Sequence, residues 1–160
     1  AENGFVLGLG TGSTKSDFTA FSQNYENRFV DFEKKLNQLK EIFQNNGNSE
    51  IKLNHWSALE GGPPLLLGTW GKHVKAAAST FDGWIASAHY RTPDEILEGL
   101  NQYRSANGKR AIVSTIQVSK DTDTGELKDK LDRFSDAGFD DAVVMFLPGA
   151  PSIDHIRSMI

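Results

Sequence analysis

Apolar and polar residues fall into blocks along this chain, and the period changes from block to block. Between Asn27 and Gln44, Phe29, Phe32, Leu36, Leu39 and Phe43 step by three and four, which lines one face of an α-helix. Asn45-Asn46-Gly47-Asn48 ends that helix. Ahead of it, Gly4 to Thr11 reads as a buried strand running into a Gly/Ser/Thr turn and a short polar-aromatic segment. Residues 48 to 62 read as a polar connection, with a short strand expected at Ile51 to Leu53.

From Pro64 onward the alternation is regular. Leu65 to Thr69 predicts a strand, Lys72 to Phe81 a helix with Val74, Ala77 and Ala78 inward, and Gly83 to Ala88 another strand. Thr92-Pro93-Asp94-Glu95 predicts a helix start: Thr92 as N-cap, proline at the first helical position, Glu95 closing a capping box. That helix carries Ile96, Leu97, Leu100 and Tyr103 and stops at Asn107-Gly108. A strand from Arg110 to Ser119 follows, then a helix from Glu126 to Ala137 with Leu127, Leu131 and Phe134 inward. A strand from Asp141 to Leu147 and a helix from Pro151 to Ile160 close the series. Five strand–helix pairs in succession predict an α/β fold with parallel strands. An open doubly wound sheet and part of an eight-fold barrel both fit that count.

Composition narrows the function classes. At 160 residues the chain fits one domain, residues 1–160, with no linker of distinct composition. A formal charge of −4 gives no electrostatic reason to expect nucleic acid or an anionic membrane. No apolar run approaches the ~18 residues of a membrane span, and no signal-peptide pattern opens the chain. Cysteine is absent, which removes disulfides, thiolate nucleophiles and Cys-ligated metals and is compatible with a reducing cytoplasm, the expected location. His55, His73, His89 and His155 show no metal-binding spacing, so no metal is expected.

Most familiar chemical motifs fail on inspection. Gly8, Gly10 and Gly12 do not form a dinucleotide fingerprint, because Ser13 stands where the last glycine belongs. Thr14 before Lys15-Ser16 breaks the phosphate-loop pattern in the same way. These glycines either admit a ligand to the strand end, with Gly10 the candidate contact, or make a close-packed turn. Asp121-Thr122-Asp123-Thr124-Gly125 superficially matches a calcium loop, but Asp132 replaces the glutamate at its twelfth position, and helix capping is the better account. The tract Gly68-Thr69-Trp70-Gly71-Lys72 is different. It ends an aliphatic strand and passes at once into helix-compatible sequence, which gathers backbone N–H groups and a lysine around one spot suited to an anion. An ordinary strand–helix turn is the bland alternative. His89, after Ser87 and Ala88, ends the next strand on the same side and reads either as a ligand contact or as a solvated loop residue. Arg28 reads as one half of a structural ion pair rather than as a catalytic residue, and Pro148-Gly149 as a plain turn by default, with the border of a ligand pocket as the alternative.

Three stretches carry a family likeness. Leu7-Gly8-Leu9-Gly10-Thr11-Gly12 with Asp17-Phe18 and Glu26-Asn27-Arg28 is the first. The second runs from Pro63-Pro64-Leu65-Leu66-Leu67-Gly68-Thr69-Trp70 through Ala76-Ala77-Ala78 to Asp82-Gly83-Trp84, and the third is Ala137-Gly138-Phe139-Asp140-Asp141-Ala142-Val143-Val144. With this spacing the chain resembles the C-terminal part of a luciferase-like monooxygenase, the superfamily of bacterial luciferase and of flavin- or deazaflavin-dependent oxidoreductases. The resemblance implies a partial (β/α)8 TIM barrel, strands 4 to 8, of a fold that usually needs ~250 residues. It implies that the first three strands are absent, and the expectation is a fragment, such as a proteolysis product or one half of a complementing pair.

The resemblance also implies FMN or a deazaflavin coenzyme, its phosphate near Gly68, Thr69, Trp70, Gly71 and Lys72, with Lys72 or His73 supplying a positive charge and Gly10 and His89 as further contacts. The implied activity is that of a flavin-dependent monooxygenase using reduced FMN and oxygen on a small organic substrate. No catalytic residue is nominated, because the cofactor supplies the redox chemistry. Expected partners are that substrate and the missing N-terminal half-barrel or a second copy, in a homo-oligomer, without nucleic acid or membrane. Two competing readings remain: a non-catalytic protein of the same fold, and a small open α/β binding domain.

Overall fold

The computed structural model describes residues 5–54 and 60–158 and divides the chain into two compact units, Ala1–Leu65 and Leu66–Ile160. Gly4, His55 and Ile160, each part of an expectation above, lie outside the described residues.

The first unit holds a short strand, β1 (Leu7–Leu9), then α1 (Lys15–Ala20), a 3-10 turn (Tyr25–Asn27) and α2 (Arg28–Asn45). Leu7 N–H donates to the Pro64 carbonyl at 3.0 Å. The segment read as merely polar-aromatic therefore contains a helix. Its Phe18 ring meets Tyr25 edge-on at 5.3 Å, and Asn24 caps the 3-10 turn through Glu26 N–H at 2.9 Å. The long helix lies where the periodicity predicts it and ends at Asn46 in the left-handed region. Its stripe is only partly covered: Leu36 is buried, Phe32, Leu39 and Phe43 are half-buried, and Phe29 is exposed. The strand expected at Ile51 to Leu53 reduces to one antiparallel bridge, Gly47 to Lys52. The Asn48 side chain, accepting from Glu50 and Ile51 N–H at 2.9 and 2.8 Å, curls the chain too tightly for a ladder.

The second unit is built as the alternation predicts: β2 (Leu65–Gly68), a 3-10 turn (Gly71–His73) leading into α3 (Val74–Thr80), β3 (Gly83–Ser87), α4 (Pro93–Ser105), β4 (Arg110–Val118), α5 (Thr124–Asp136), β5 (Asp141–Phe146) and α6 (Ile153–Arg157). Strands β2 to β5 pair parallel and in chain order. Three of these four helices start at a side-chain cap, and α3, which continues the 3-10 turn, does not. Thr92 and Glu95 exchange both bonds of the capping box, Asp123 accepts from Glu126 N–H at 3.0 Å, and Ser152 caps α6. The calcium-like acidic run is thus spent on capping α5.

One face of the sheet carries the core. Trp84, Ala86, Ala111, Val113, Ile116 and Val118 are at most 2% exposed and lie against the helices. Trp84 is the hub, with ring centroids 6.0 Å from Trp70, 5.5 Å from Tyr103 and 6.2 Å from Phe139. Gly99 on α4 makes room for this cluster, since a Cβ there would stand 2.9 Å from the Trp84 ring and 3.1 Å from Trp70. At the strands' N-terminal ends, Arg104 bonds the Gly138 carbonyl and Asp140, and Arg110 pairs with Asp141 at 2.8 Å.

Strand β4 contains a bulge. Val113 pairs with Ala142 and Ile116 with Val144, so Ser114 and Thr115 together face Val143. Thr115 is left-handed at φ 61°, a costly conformation for a β-branched residue. The extra residue keeps Ile116 and Val118 on the helix side and turns Gln117 to the other. The architecture is α/β with parallel strands, consistent with part of a (β/α)8 barrel. No helix among the described residues is long and apolar enough to cross a membrane.

Candidate functional site

In strand–helix folds of this kind, loops at the C-terminal ends of the strands carry the chemistry. In the second unit those are Gly68–Lys72 after β2, Ala88–Arg91 after β3, and the bulged end of β4.

The first of these loops is held firmly from below. Trp84 Nε1 donates to the Thr69 carbonyl at 2.9 Å, and Trp70 turns its ring into the helix layer, where the Arg91 guanidinium covers it at 4.0 Å. Trp70 is extended and precedes the 3-10 turn, whose His73 N–H bonds the Trp70 carbonyl at 3.4 Å. Gly68 and Thr69 are half-buried; Gly71, Lys72 and His73 are exposed. Gly71 adopts φ 60° with no atom within 4 Å of where a Cβ would stand, so the backbone there is open to an approaching group. On another side of the turn a depression of about 210 Å3 is lined by Trp70, Gly71, Glu95 and Glu98, and those carboxylates disfavour an anion in it. The Trp70 side chain belongs to the core; the backbone of the turn and Lys72 are what a ligand can reach.

His89 is exposed, hydrogen-bonded through Nδ1 to Gln117 Nε2 at 2.7 Å, with its ring edge-on to Tyr90 at 3.9 Å. It lines a cavity of about 180 Å3 together with Arg91, Thr115, Gln117 and Lys130, closed at the back by Ile96 and Phe134. Arg91, Thr115, Gln117 and Lys130 escaped the sequence reading. Lys130 sits three residues after Leu127 and four before Phe134, on the buried stripe of α5, and a lysine in that register was the available signal. Thr115 gave none, since a bulge does not follow from a single sequence, and Arg91 reads only as a loop cation.

Gly10 lies in the first unit, exposed just past β1; a Cβ on nearby Gly12 would stand 2.9 Å from the Phe18 ring, which favours the close-packed turn at that glycine. The ion pair expected of Arg28 is replaced by stacking: its guanidinium lies 3.9 Å from the Tyr25 ring and 4.5 Å from Phe29, and Nη1 donates to the Tyr25 carbonyl. Among the described residues no carboxylate lies within ion-pair distance of Arg28. Pro148-Gly149 is a turn, with Ala150 N–H bonding the Leu147 carbonyl at 3.0 Å.

No protein-family model matches the sequence. No curated protein matches it either. Among solved structures, the fold is similar to that of the monooxygenase RslO1 from Streptomyces bottropensis, with a TM-score of 0.69 at 14% sequence identity. The match covers 95% of this chain and 64% of that one, so this chain spans less than two thirds of the solved protein's length. At such identity the likeness shows the shared fold.

Proposed function

We propose that this chain is part of a flavin-dependent oxidoreductase of the luciferase-like monooxygenase kind, acting with reduced FMN and oxygen on a small organic substrate. The observation carrying the proposal is the fold likeness, over 95% of the chain, to a protein described as a monooxygenase. The turn after β2 fits the phosphate end of such a cofactor. Its backbone is open at Gly71, Lys72 supplies a reachable cation, and the Trp84–Thr69 bond holds the turn in place without a ligand. Thr69 and Lys72 would hold the phosphate, while the flavin ring supplies the redox chemistry.

Titration of the purified protein with FMN and with riboflavin, followed by quenching of flavin fluorescence, tests this. FMN is expected to bind more tightly than riboflavin, and Lys72→Ala to weaken FMN about tenfold while sparing riboflavin. Failure of FMN and of a deazaflavin coenzyme to bind at millimolar concentration would overturn the proposal.

A further inference from the structure

We infer that the cavity bounded by Arg91, Thr115 and Lys130 is a second, independent binding site, for a small phosphate-class oxyanion. Its lining carries two basic side chains, Arg91 from the loop after β3 and Lys130 from α5, and no carboxylate. Lys130 makes no ion pair or hydrogen bond among the described residues, although Glu126 stands four positions before it, the spacing that usually pairs. Arg91 makes no ion pair there either; its guanidinium lies 4.0 Å from the Trp70 ring and acts electrostatically on Glu95, which is not part of the cavity lining. Thr115, whose hydroxyl lies 3.3 Å from Ser114 Oγ, and the hydrogen-bonded His89–Gln117 pair add polar side chains to the same cavity lining.

Two features set this place apart from an ordinary solvated charge cluster. Lys130 is half-buried on the core-facing stripe of α5, a register that apolar residues usually fill. Thr115 is held left-handed at the bulge that forms the cavity wall, and strain of that type concentrates at ligand sites. Size fixes the ligand class. About 180 Å3 is small beside the ~300–1,000 Å3 of sites that enclose drug-sized molecules, so the cavity takes a single oxyanion group, free or as the head of a small metabolite.

The inference does not depend on flavin binding. Inorganic phosphate is titrated into the full chain by calorimetry and by phosphorus NMR. In Lys72→Ala, which removes the cation of the other anion site, saturable one-site binding is expected, weakened about tenfold by adding Lys130→Met or Arg91→Gln and unchanged by adding Lys75→Met, which removes the same charge from an exposed position on α3. Met at position 130 suits the apolar stripe, so the fold is retained. Equal losses in Lys130→Met and Lys75→Met would mean diffuse attraction, and undiminished binding in Lys130→Met would mean another site; either overturns the inference. A competition arm separates the two anion sites. Phosphate displaced by FMN but not by riboflavin, with Lys130→Met weakening FMN, would assign the cavity to the flavin phosphate and end its independence.

Discussion

Strands β3 and β5 come from the same kind of sequence and end up in opposite environments. In β3, Trp84 and Ala86 are fully buried beneath α4. In β5, Val143 is 51% and Met145 38% exposed on the face away from the helices, and a groove of about 360 Å3 between β5 and α5 leaves Ala142 open on the other face. The difference is one of neighbours. A central strand gains from both flanking strands and from its covering helix; β5 has β4 on one edge only in this sheet. The hydrophobic sequence of β5 is that of a strand meant for burial on both faces, as parallel strands usually are.

The contrast can be broken by mutation. Trp84→Ala empties the hub of four aromatic rings and should cost about 3–5 kcal/mol, read as a lower urea midpoint at unchanged slope. A loss near 1 kcal/mol would mean that the β3 layer is far looser than its burial indicates.

Thr92→Ala tests how firmly α4 is clamped over β3. Loss of the cap should cost about 1 kcal/mol in the same denaturation experiment. The pair also has an acid signature. Glu95 accepts from Thr92 N–H at 2.8 Å and from its hydroxyl at 3.1 Å, and these bonds, the backbone one first, hold its pKa below 4.5. A carboxyl lowered in the folded state stabilises the protein above its unfolded pKa, and that contribution disappears as pH falls through the folded value. Stability profiles below about pH 4.5 should therefore fall less steeply in Thr92→Ala than in the parent protein.

The smallest effect is expected at β5. Met145→Ala should shift stability by no more than about 0.5 kcal/mol, the range of an exposed position. A cost of 2 kcal/mol or more, typical of buried methionine, would show that β5 is covered in solution and would abolish the contrast with β3.

Much of the second unit was legible because its signals are local and redundant. Thr92, Pro93 and Glu95 specify one helix start by three separate means, and Val74–Ala77 and Leu127–Phe134 keep helical spacing. The first unit was read less well. In Lys15–Ala20 no buried residue repeats at helical spacing, so periodicity had nothing to detect, and at Ile51–Leu53 an asparagine side chain overrode strand-like residues. At the candidate site, the backbone opening at Gly71 followed from glycine chemistry, but the inward turn of Trp70 depended on Trp84 and Gly99, distant in sequence. The Arg91–Lys130 cavity needed the bulge, which is a property of two strands together.

The bulge in β4 has a wider consequence. A straight strand couples what its rim shows to what its root hides, because odd and even positions never exchange roles. One surplus residue shifts the count by half a repeat, so the lower part, ending at Val113, and the upper part, starting at Ile116, are phased separately. The mouth of the fold can then vary its outward side chains without rewriting the layer beneath, provided the length of the Ser114–Thr115 step is kept.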